Sequence, residues 1–299
     1  MKQHPGRILR NLMDKGCVMA PGAFNGLVAR SLAKQGYDAA YVSGGAITTA
    51  SGVPDIGVLP IDGFTRIISD VWYSSKLPII ADADTGFGEG EMVARTVWEY
   101  NKAGAAGLHL EDQMFPKRCG HLSGKTLVSV DDFINKVKIA AEARDECSDG
   151  EFIICARTDA RSVEGIDSTI ERAKKYIDAG ADMIFPEGLN SKDEFEQVSK
   201  ELKDYSPKTY LLANMTEFGK TPIIDFKEFG EIGYDIVIYP VSTLRIAMKA
   251  VDTFLSQLKL DGNVEKSLEN MQTREELYDL VNYKPGEEWI YPSPKTKDE

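Results

Sequence analysis

The stretch Met92–Asp112, MVARTVWEYNKAGAAGLHLED, decides the fold. Met92–Ala103 places apolar residues at helical spacing, and Gly104 follows where a left-handed cap is least costly. Ala106–Leu110 is then a short, unbroken apolar run that ends on two carboxylates, Glu111 and Asp112. Apolar residues that run on without alternating mark a strand covered on both faces, as in a parallel sheet. The same order recurs outward along the chain. Gly26–Gln35 leads through Gly36 to the run Ala39–Val42, and Ser168–Ala179 leads through Gly180 to Met183–Phe185. Further runs lie at Val18–Ala20, Pro78–Ala81, Phe152–Ala156, Tyr210–Ala213 and Ile236–Tyr239, with helical spacing at Asp131–Arg144 and Asp193–Leu202. Helices alternating with eight such strands predict an α/β fold, a (β/α)8 TIM barrel; a doubly wound open sheet is the runner-up. The barrel is expected over residues 1–261. From Gly262 the chain turns polar and belongs to no ninth strand, so residues 262–299 are expected to form a C-terminal helical extension and tail.

Composition excludes several classes. The 299 residues carry 35 Lys+Arg against 47 Asp+Glu, a formal net charge of −12, which argues against a phosphate-backbone partner and so against nucleic acid. No stretch reaches the roughly 18 uninterrupted apolar residues of a membrane span. The four cysteines form no CxxC pair, so neither a disulfide framework nor a zinc finger is favoured. The first residues lack an apolar core with a small-residue cleavage site, and a cytoplasmic location is expected.

In barrels of this type the chemistry sits at the carboxyl ends of the strands. There the sequence places Ser43-Gly44-Gly45, Asp82-Ala83-Asp84, Glu111-Asp112, Arg157-Thr158-Asp159, Glu187, Asn214-Met215-Thr216 and, beyond Pro240, Arg245. Asp82 and Asp84 are two apart, so their side chains share a direction and can converge on a hard cation. With Glu111 they offer an all-oxygen set that suits Mg²⁺ better than zinc. The plainer alternative is a pair of acids in a turn before Gly86. Arg157 and Arg245 can fork onto carboxylates, and the Ser43-Gly44-Gly45 amides can approach an anion; the alternative for either arginine is an internal salt bridge with Glu187 or Glu111. Gly86-Phe87-Gly88-Glu89-Gly90 has neither the P-loop Lys-Ser/Thr nor the GxGxxG spacing, so no nucleotide site is expected.

The loop after the fourth strand reads Lys117-Arg118-Cys119-Gly120-His121. Three basic residues within four positions of Cys119 make an electropositive setting that lowers a thiol's pKa, so a role as acid, base or nucleophile is expected. Cys155, inside an apolar run, has the setting of an inert thiol, and His109, within a strand, that of a packed core histidine.

These residues match a family. Lys117-Arg118-Cys119-Gly120-His121, Ser43-Gly44-Gly45 and Asp82-Ala83-Asp84, with Asn214-Met215-Thr216-Glu217-Phe218-Gly219, Tyr239-Pro240 and Asn270-Met271-Gln272-Thr273-Arg274, resemble the isocitrate lyase and phosphoenolpyruvate mutase superfamily over nearly the whole chain. The cysteine motif resembles the lyase branch, and the chain leaves no room for the large insertions of isocitrate lyases. The resemblance implies retro-aldol cleavage of the C2–C3 bond of 2-methylisocitrate to pyruvate and succinate, as in the methylcitrate route of propionate catabolism. It implies Mg²⁺ (or Mn²⁺) held by Asp82, Asp84 and Glu111. It further implies a pyruvyl site at Ser43, Gly44, Gly45 and Asp55, and Cys119 as the acid that protonates the succinate carbon. Gly120, His121, Arg157, Glu187, Asn214, Thr216, Arg245 and Arg274 would line the tricarboxylate substrate, with Arg157 also catalytic. The base is left between Tyr41 and a metal-linked water. The resemblance also implies a homotetramer in which the eighth barrel helix is exchanged between subunits. Competing expectations are a sibling activity (isocitrate or substituted-malate cleavage, oxaloacetate decarboxylation, phosphonate chemistry) and a non-catalytic carboxylate-binding barrel.

Overall fold

The computed structural model describes residues 3–118, 120 and 124–289. Its eight strands are β1 (Val18–Pro21), β2 (Ala40–Val42), β3 (Ile79–Asp82), β4 (Gly107–Glu111), β5 (Ile153–Thr158), β6 (Met183–Pro186), β7 (Tyr210–Asn214) and β8 (Ile236–Tyr239). They pair in parallel in the order β1-β8-β7-β6-β5-β4-β3-β2, and a parallel bridge between Gly22 and Tyr41 closes the circuit. This is the (β/α)8 barrel, not the open sheet. Each apolar run of the sequence became a strand because each is buried on both faces.

The helices that wrap the strands are α1 (Pro5–Met13), α2 (Gly26–Lys34), α3 (Gly44–Ala50), α4 (Ile61–Ser75), α5 (Glu91–Ala103), α6 (Val130–Ser148), α7 (Ile166–Asp178), α8 (Lys192–Tyr205) and α9 (Phe226–Ile232). Then come α10 (Ser242–Asp261) and α11 (Arg274–Leu280). Gly36, Gly104 and Gly180 lie at φ 80°, 97° and 107°, the left-handed region expected of them. Gly104 is also held by packing, since a Cβ there would lie 2.3 Å from Trp72 Cδ1.

Two apolar clusters follow from strand alternation. Outward-facing residues such as Val42, Ile79, Leu108, Ile154 and Ile184 pack against the helices. Inward-facing Tyr41, Ile80, Cys155, Phe185 and Leu212 fill the barrel, and Leu9 and Met13 of α1 join that cluster. Neither α1 nor α4 was among the helical segments read from the sequence. The helix after β8 departs from the pattern. Of the twenty residues of α10 only Leu244 is buried, and Ile246, Val251, Leu255 and Leu260 face outward. No described helix is long and apolar enough to cross a membrane.

Candidate active site

Residues two apart on a strand face the same way, so each barrel-filling side chain has a successor at the carboxyl end. Ile80 is followed by Asp82, His109 by Glu111, Cys155 by Arg157, Phe185 by Glu187 and Leu212 by Asn214. Five consecutive strands thereby raise a polar ring above an apolar floor. All five residues of the ring are buried, with at most 9% of their surface exposed. His109 is the top of the floor. It is wholly buried, sits edge-on to Phe185, and its Nε2 lies 2.7 Å from the Tyr41 hydroxyl. Burial pushes its imidazole down to about 4, so it is neutral, as a core histidine should be.

Asp82 and Asp84 meet around Gly44. The Gly44 amide donates to Asp82 Oδ2 (3.1 Å), and the Asp84 amide donates to Asp82 Oδ1 (2.9 Å). A Cβ on Gly44 would lie 2.7 Å from Asp82 Oδ2 and 3.3 Å from Asp84 Oδ1, so only glycine fits between the two carboxylates. Asp84 is itself held at φ 47°, a left-handed conformation rare outside glycine. Lys117 reaches in from the loop after β4; its ammonium lies 2.5 Å from Asp55 Oδ1 and 2.6 Å from Asp84 Oδ1. Burial and the charge of Asp82 push the Asp84 carboxyl up, Lys117 pulls it back, and it settles at about 7. Burial likewise holds Glu111 above the usual carboxylate range, although Arg157 and Lys117 pull it down.

Arg157 organises the other half of the ring. Its Nε lies 2.9 Å from Asp159 Oδ2 and 3.2 Å from Glu111 Oε2, and its Nη1 lies 3.6 Å from Glu187 Oε2. The internal salt bridge, weighed as the alternative for this arginine, is therefore present at the mouth. Asn214 Nδ2 donates to Glu187 Oε2 at 3.1 Å, while Asn214 Oδ1 has no hydrogen-bond partner among the described residues. Below the ring, Asp112 takes hydrogen bonds from Thr158 Oγ1 (2.7 Å), the Asp159 amide (2.9 Å) and the Tyr176 hydroxyl (2.9 Å), which fixes the end of β5.

Other expectations fared differently. Ser43 is the N-cap of α3 and accepts from the Ala46 amide (3.2 Å), so Ser43-Gly44-Gly45 begins a helix where the sequence suggested a glycine loop. Burial, with the charge of Asp82 nearby, holds the Tyr41 hydroxyl well above its ordinary value, and that hydroxyl lies 2.7 Å from His109 Nε2. Thr216 lies buried just beyond β7. Arg245, on the first turn of α10, is half-exposed and donates to the Glu217 carbonyl (2.6 Å), with no contact to the ring among the described residues. Arg274 is exposed at the start of α11 and is likewise not joined to the ring. Cys119 and His121 lie outside the described residues. Lys117 was read only for its effect on Cys119, Asp159 was placed at the end of the fifth strand without a role, and Lys125 was not singled out. Their signal in the sequence was a charge in a loop, which any solvated residue also gives.

Among the described residues no three Asp, Glu, His or Cys side chains form a ready-made metal cluster. Glu111 is turned to Arg157, and Lys117 lies on Asp84. The donors nevertheless fit a hard divalent cation. Asp84 Oδ2 and Glu111 Oε1 are buried with no hydrogen-bond partner among the described residues. Asp55, Asp82, Asp84, Glu111, Asp159 and Glu187 supply six carboxylates against the cations Lys117, Lys125 and Arg157. An anionic substrate would meet a surplus of negative charge there unless a cation offset it. Mg²⁺ needs only one or two carboxylates, keeping waters for its other positions.

A closed parallel barrel with carboxylates, an arginine and a lysine gathered at the carboxyl ends of its strands belongs to the class of barrel enzymes that act on small carboxylates. The family model described as phosphoenolpyruvate phosphomutase matches residues 9–259. The chain is 45% identical to 2-methylisocitrate lyase of Aeropyrum pernix over 94% of its own length and 88% of the relative's. The solved structure of 2,3-dimethylmalate lyase superposes with a TM-score of 0.86 at 34% identity, over 94% of this chain and 92% of that one. Phosphonopyruvate hydrolase, solved with oxalate and Mg²⁺, gives a TM-score of 0.82 at 26% identity over 94% and 95% of the two chains. The chain is a member of the phosphoenolpyruvate phosphomutase family, within the isocitrate lyase/phosphoenolpyruvate mutase superfamily.

Proposed function

We propose that this chain is a carbon–carbon lyase that cleaves the C2–C3 bond of 2-methylisocitrate to pyruvate and succinate. The single observation that carries this reading is the end-to-end similarity to 2-methylisocitrate lyase. The polar ring supports it, since carboxylates for a cation stand beside an arginine and an amide at the mouth of one barrel.

Asp82 and Asp84, with Glu111 behind them, would hold Mg²⁺, which supplies Lewis acidity that lowers the pKa of the substrate's C2 hydroxyl and polarises the keto group formed from it. Asp55 and the first turn of α3 face the pyruvyl end. As the bond breaks, its electron pair goes to C3, next to a carboxylate, and the resulting aci-carboxylate needs preorganised positive groups. Arg157 and the Asn214 amide are fixed at the mouth for this, each held by Glu187. Cys119 delivers the proton that C3 requires. The C2 hydroxyl gives its proton to a base, Tyr41 or a metal-linked water, so that pyruvate leaves with that oxygen as its keto group and succinate leaves with the proton from the thiol.

The outward apolar face of α10 supports exchange of this helix between subunits of a homotetramer, which would also carry the Arg274 helix toward a neighbouring mouth. In this reading residues 1–261 form the catalytic barrel, residues 262–299 form the extension, and the protein works in the cytoplasm. The test is release of pyruvate from 2-methylisocitrate with Mg²⁺, beside isocitrate, 2,3-dimethylmalate and oxaloacetate. Faster turnover of any of those three overturns the substrate assignment. A Cys119→Ser variant that retains the parental rate overturns the acid assignment.

A further inference from the structure

Lys125 is buried, as are Lys117 and Lys136. Its side chain is almost wholly buried, and its ammonium lies 2.6 Å from Asp159 Oδ1 and 2.5 Å from the Gly120 carbonyl. Asp159 uses the same Oδ1 for Arg157 Nη2 (3.2 Å) and its Oδ2 for Arg157 Nε (2.9 Å). One carboxylate thus joins the two cations, and one cation joins the barrel wall to the backbone of Gly120.

Gly120 rests directly on the ring. A Cβ there would lie 2.5 Å from Glu187 Cγ and 2.6 Å from Arg157 Nη2, so the backbone approaches the Arg157–Glu187 pair more closely than any side chain allows. Its carbonyl, turned to Lys125, fixes the orientation of that peptide.

We propose that Lys125 is a positioning residue for the cleavage, tying the Gly120 carbonyl to Asp159 so that the Gly120 backbone and the Arg157 guanidinium beside it hold one register. It touches neither substrate nor metal and acts through Gly120 and Asp159. The proposal rests on the lyase reading above and concerns a residue for which that reading has no role. Placement errors of about 1 Å at a reacting centre lower rates by about a hundredfold.

The test is Lys125→Ala, with and without added methylammonium or ethylammonium, and Lys125→Gln. The expected result is a fall in kcat of about a hundredfold, with the affinity for pyruvate plus Mg²⁺, measured by calorimetry, within threefold of the parent. Added amine should recover at least tenfold of the loss in the alanine variant and none in the parent. Lys125→Gln, which keeps a donor for the Gly120 carbonyl but loses the charge, should fall between the two. Unchanged kcat in either variant overturns the proposal. So does a parallel loss of kcat, pyruvate–Mg²⁺ affinity and melting temperature without amine rescue, which would mark Lys125 as a structural ion pair. If the parent fails to cleave 2-methylisocitrate the lyase reading fails first, and the comparison is then run on whichever substituted malate the parent does cleave.

Discussion

The Lys117 ammonium lies 2.6 Å from Asp84 Oδ1, so a cation from the loop after β4 already serves one of the two carboxylates that converge on Gly44. It neutralises one charge among six carboxylates and leaves Asp84 Oδ2 with no hydrogen-bond partner among the described residues. A divalent ion binding there would be drawn by the remaining surplus, while Lys117 keeps Asp55 and Asp84 apart from outright repulsion. Asp84→Asn is therefore expected to weaken Mg²⁺ binding in the presence of pyruvate by at least about tenfold, since a ligand matters at least as much as an outer partner. Stability should hold or rise, because a crowded buried charge is gone. Calorimetric titration with Mg²⁺ and a thermal melt of the same sample check both halves. Removing metal with chelator should abolish turnover in the parent, and Mg²⁺ or Mn²⁺ should restore it.

Arg157 presents the opposite case. It bridges Asp159, Glu111 and Glu187, and all four side chains are nearly wholly buried. Deleting one partner of a buried ion pair leaves the others uncompensated, at about 3–5 kcal/mol. Arg157→Ala is expected to lose stability on that scale and all detectable activity. Glu111→Gln removes a charge whose burial is only partly offset, so it should change stability by less than about 1.5 kcal/mol while impairing turnover. Denaturant unfolding of the two variants separates these outcomes; equal losses would contradict the charge arrangement described above.

The glycine caps allow a test of the barrel itself. Gly36 and Gly104 both sit at positive φ, but a Cβ at Gly36 meets open space, whereas one at Gly104 runs into the Trp72 ring. Gly36→Ala should cost about 1–2 kcal/mol from backbone conformation alone. Gly104→Ala should cost about 1–3 kcal/mol more for the forced shift of Trp72. Chemical denaturation of the pair measures the difference.

The strands were legible because each is a continuous apolar run, and the three glycines marked the turns into β2, β4 and β6. The ends were less so. β3, β4 and β5 run on to Asp82, Glu111 and Thr158, polar residues that hydropathy assigns to loops. Asp82 and Glu111 remain strand because they point into the mouth, where polarity is the purpose of the position, while Thr158 faces the other way and donates to Asp112. Asp82, Glu111, Arg157, Glu187 and Asn214 could be placed from sequence because the strand period of two carries them there. The pairings Lys117 with Asp55, Lys125 with Asp159 and Arg157 with three carboxylates could not, since they join residues brought together only when the barrel closes. Nor did the sequence suggest that Gly44 and Gly45 open a helix, because glycine is a poor helix former and only the Ser43 cap reveals the turn.

Acid should weaken the outer shell at a predictable place. Arg161 grips Glu194 with two hydrogen bonds of 2.9 and 2.6 Å, tying the turn after β5 to the first turn of α8. The Arg161 contact holds the Glu194 carboxyl below its usual value of 4.5. Around that value the folded chain binds fewer protons than the unfolded one, so this pair stabilises the fold above it and the contribution disappears as pH falls through the lower folded value. Glu194→Gln should melt below the parent at pH 7, and the two melting curves should converge as pH drops below about 4. A gap that persists unchanged into acid would show that the pair acts through packing and not through charge.

The exposed face of α10 yields a prediction about assembly. Ile246, Ala250, Val251, Phe254 and Met271 line a groove of about 820 Å³ that is mostly apolar, and Val251 and Leu255 are one helical turn apart. Apolar side chains gathered along one helix are what a partner subunit covers. Charges placed there would be desolvated on association, yet they would meet only water in a separate chain, so they should disfavour assembly without disturbing the barrel. Val251→Asp combined with Leu255→Asp is therefore expected to reduce the species seen by light scattering from the proposed tetramer to a smaller form, with the far-ultraviolet spectrum of the parent retained. If that smaller form also loses turnover while its barrel remains folded, residues beyond α10, Arg274 among them, reach the mouth of a neighbouring subunit. If it remains tetrameric, the α10 face does not hold the subunits together, and helix exchange is ruled out as the mode of assembly.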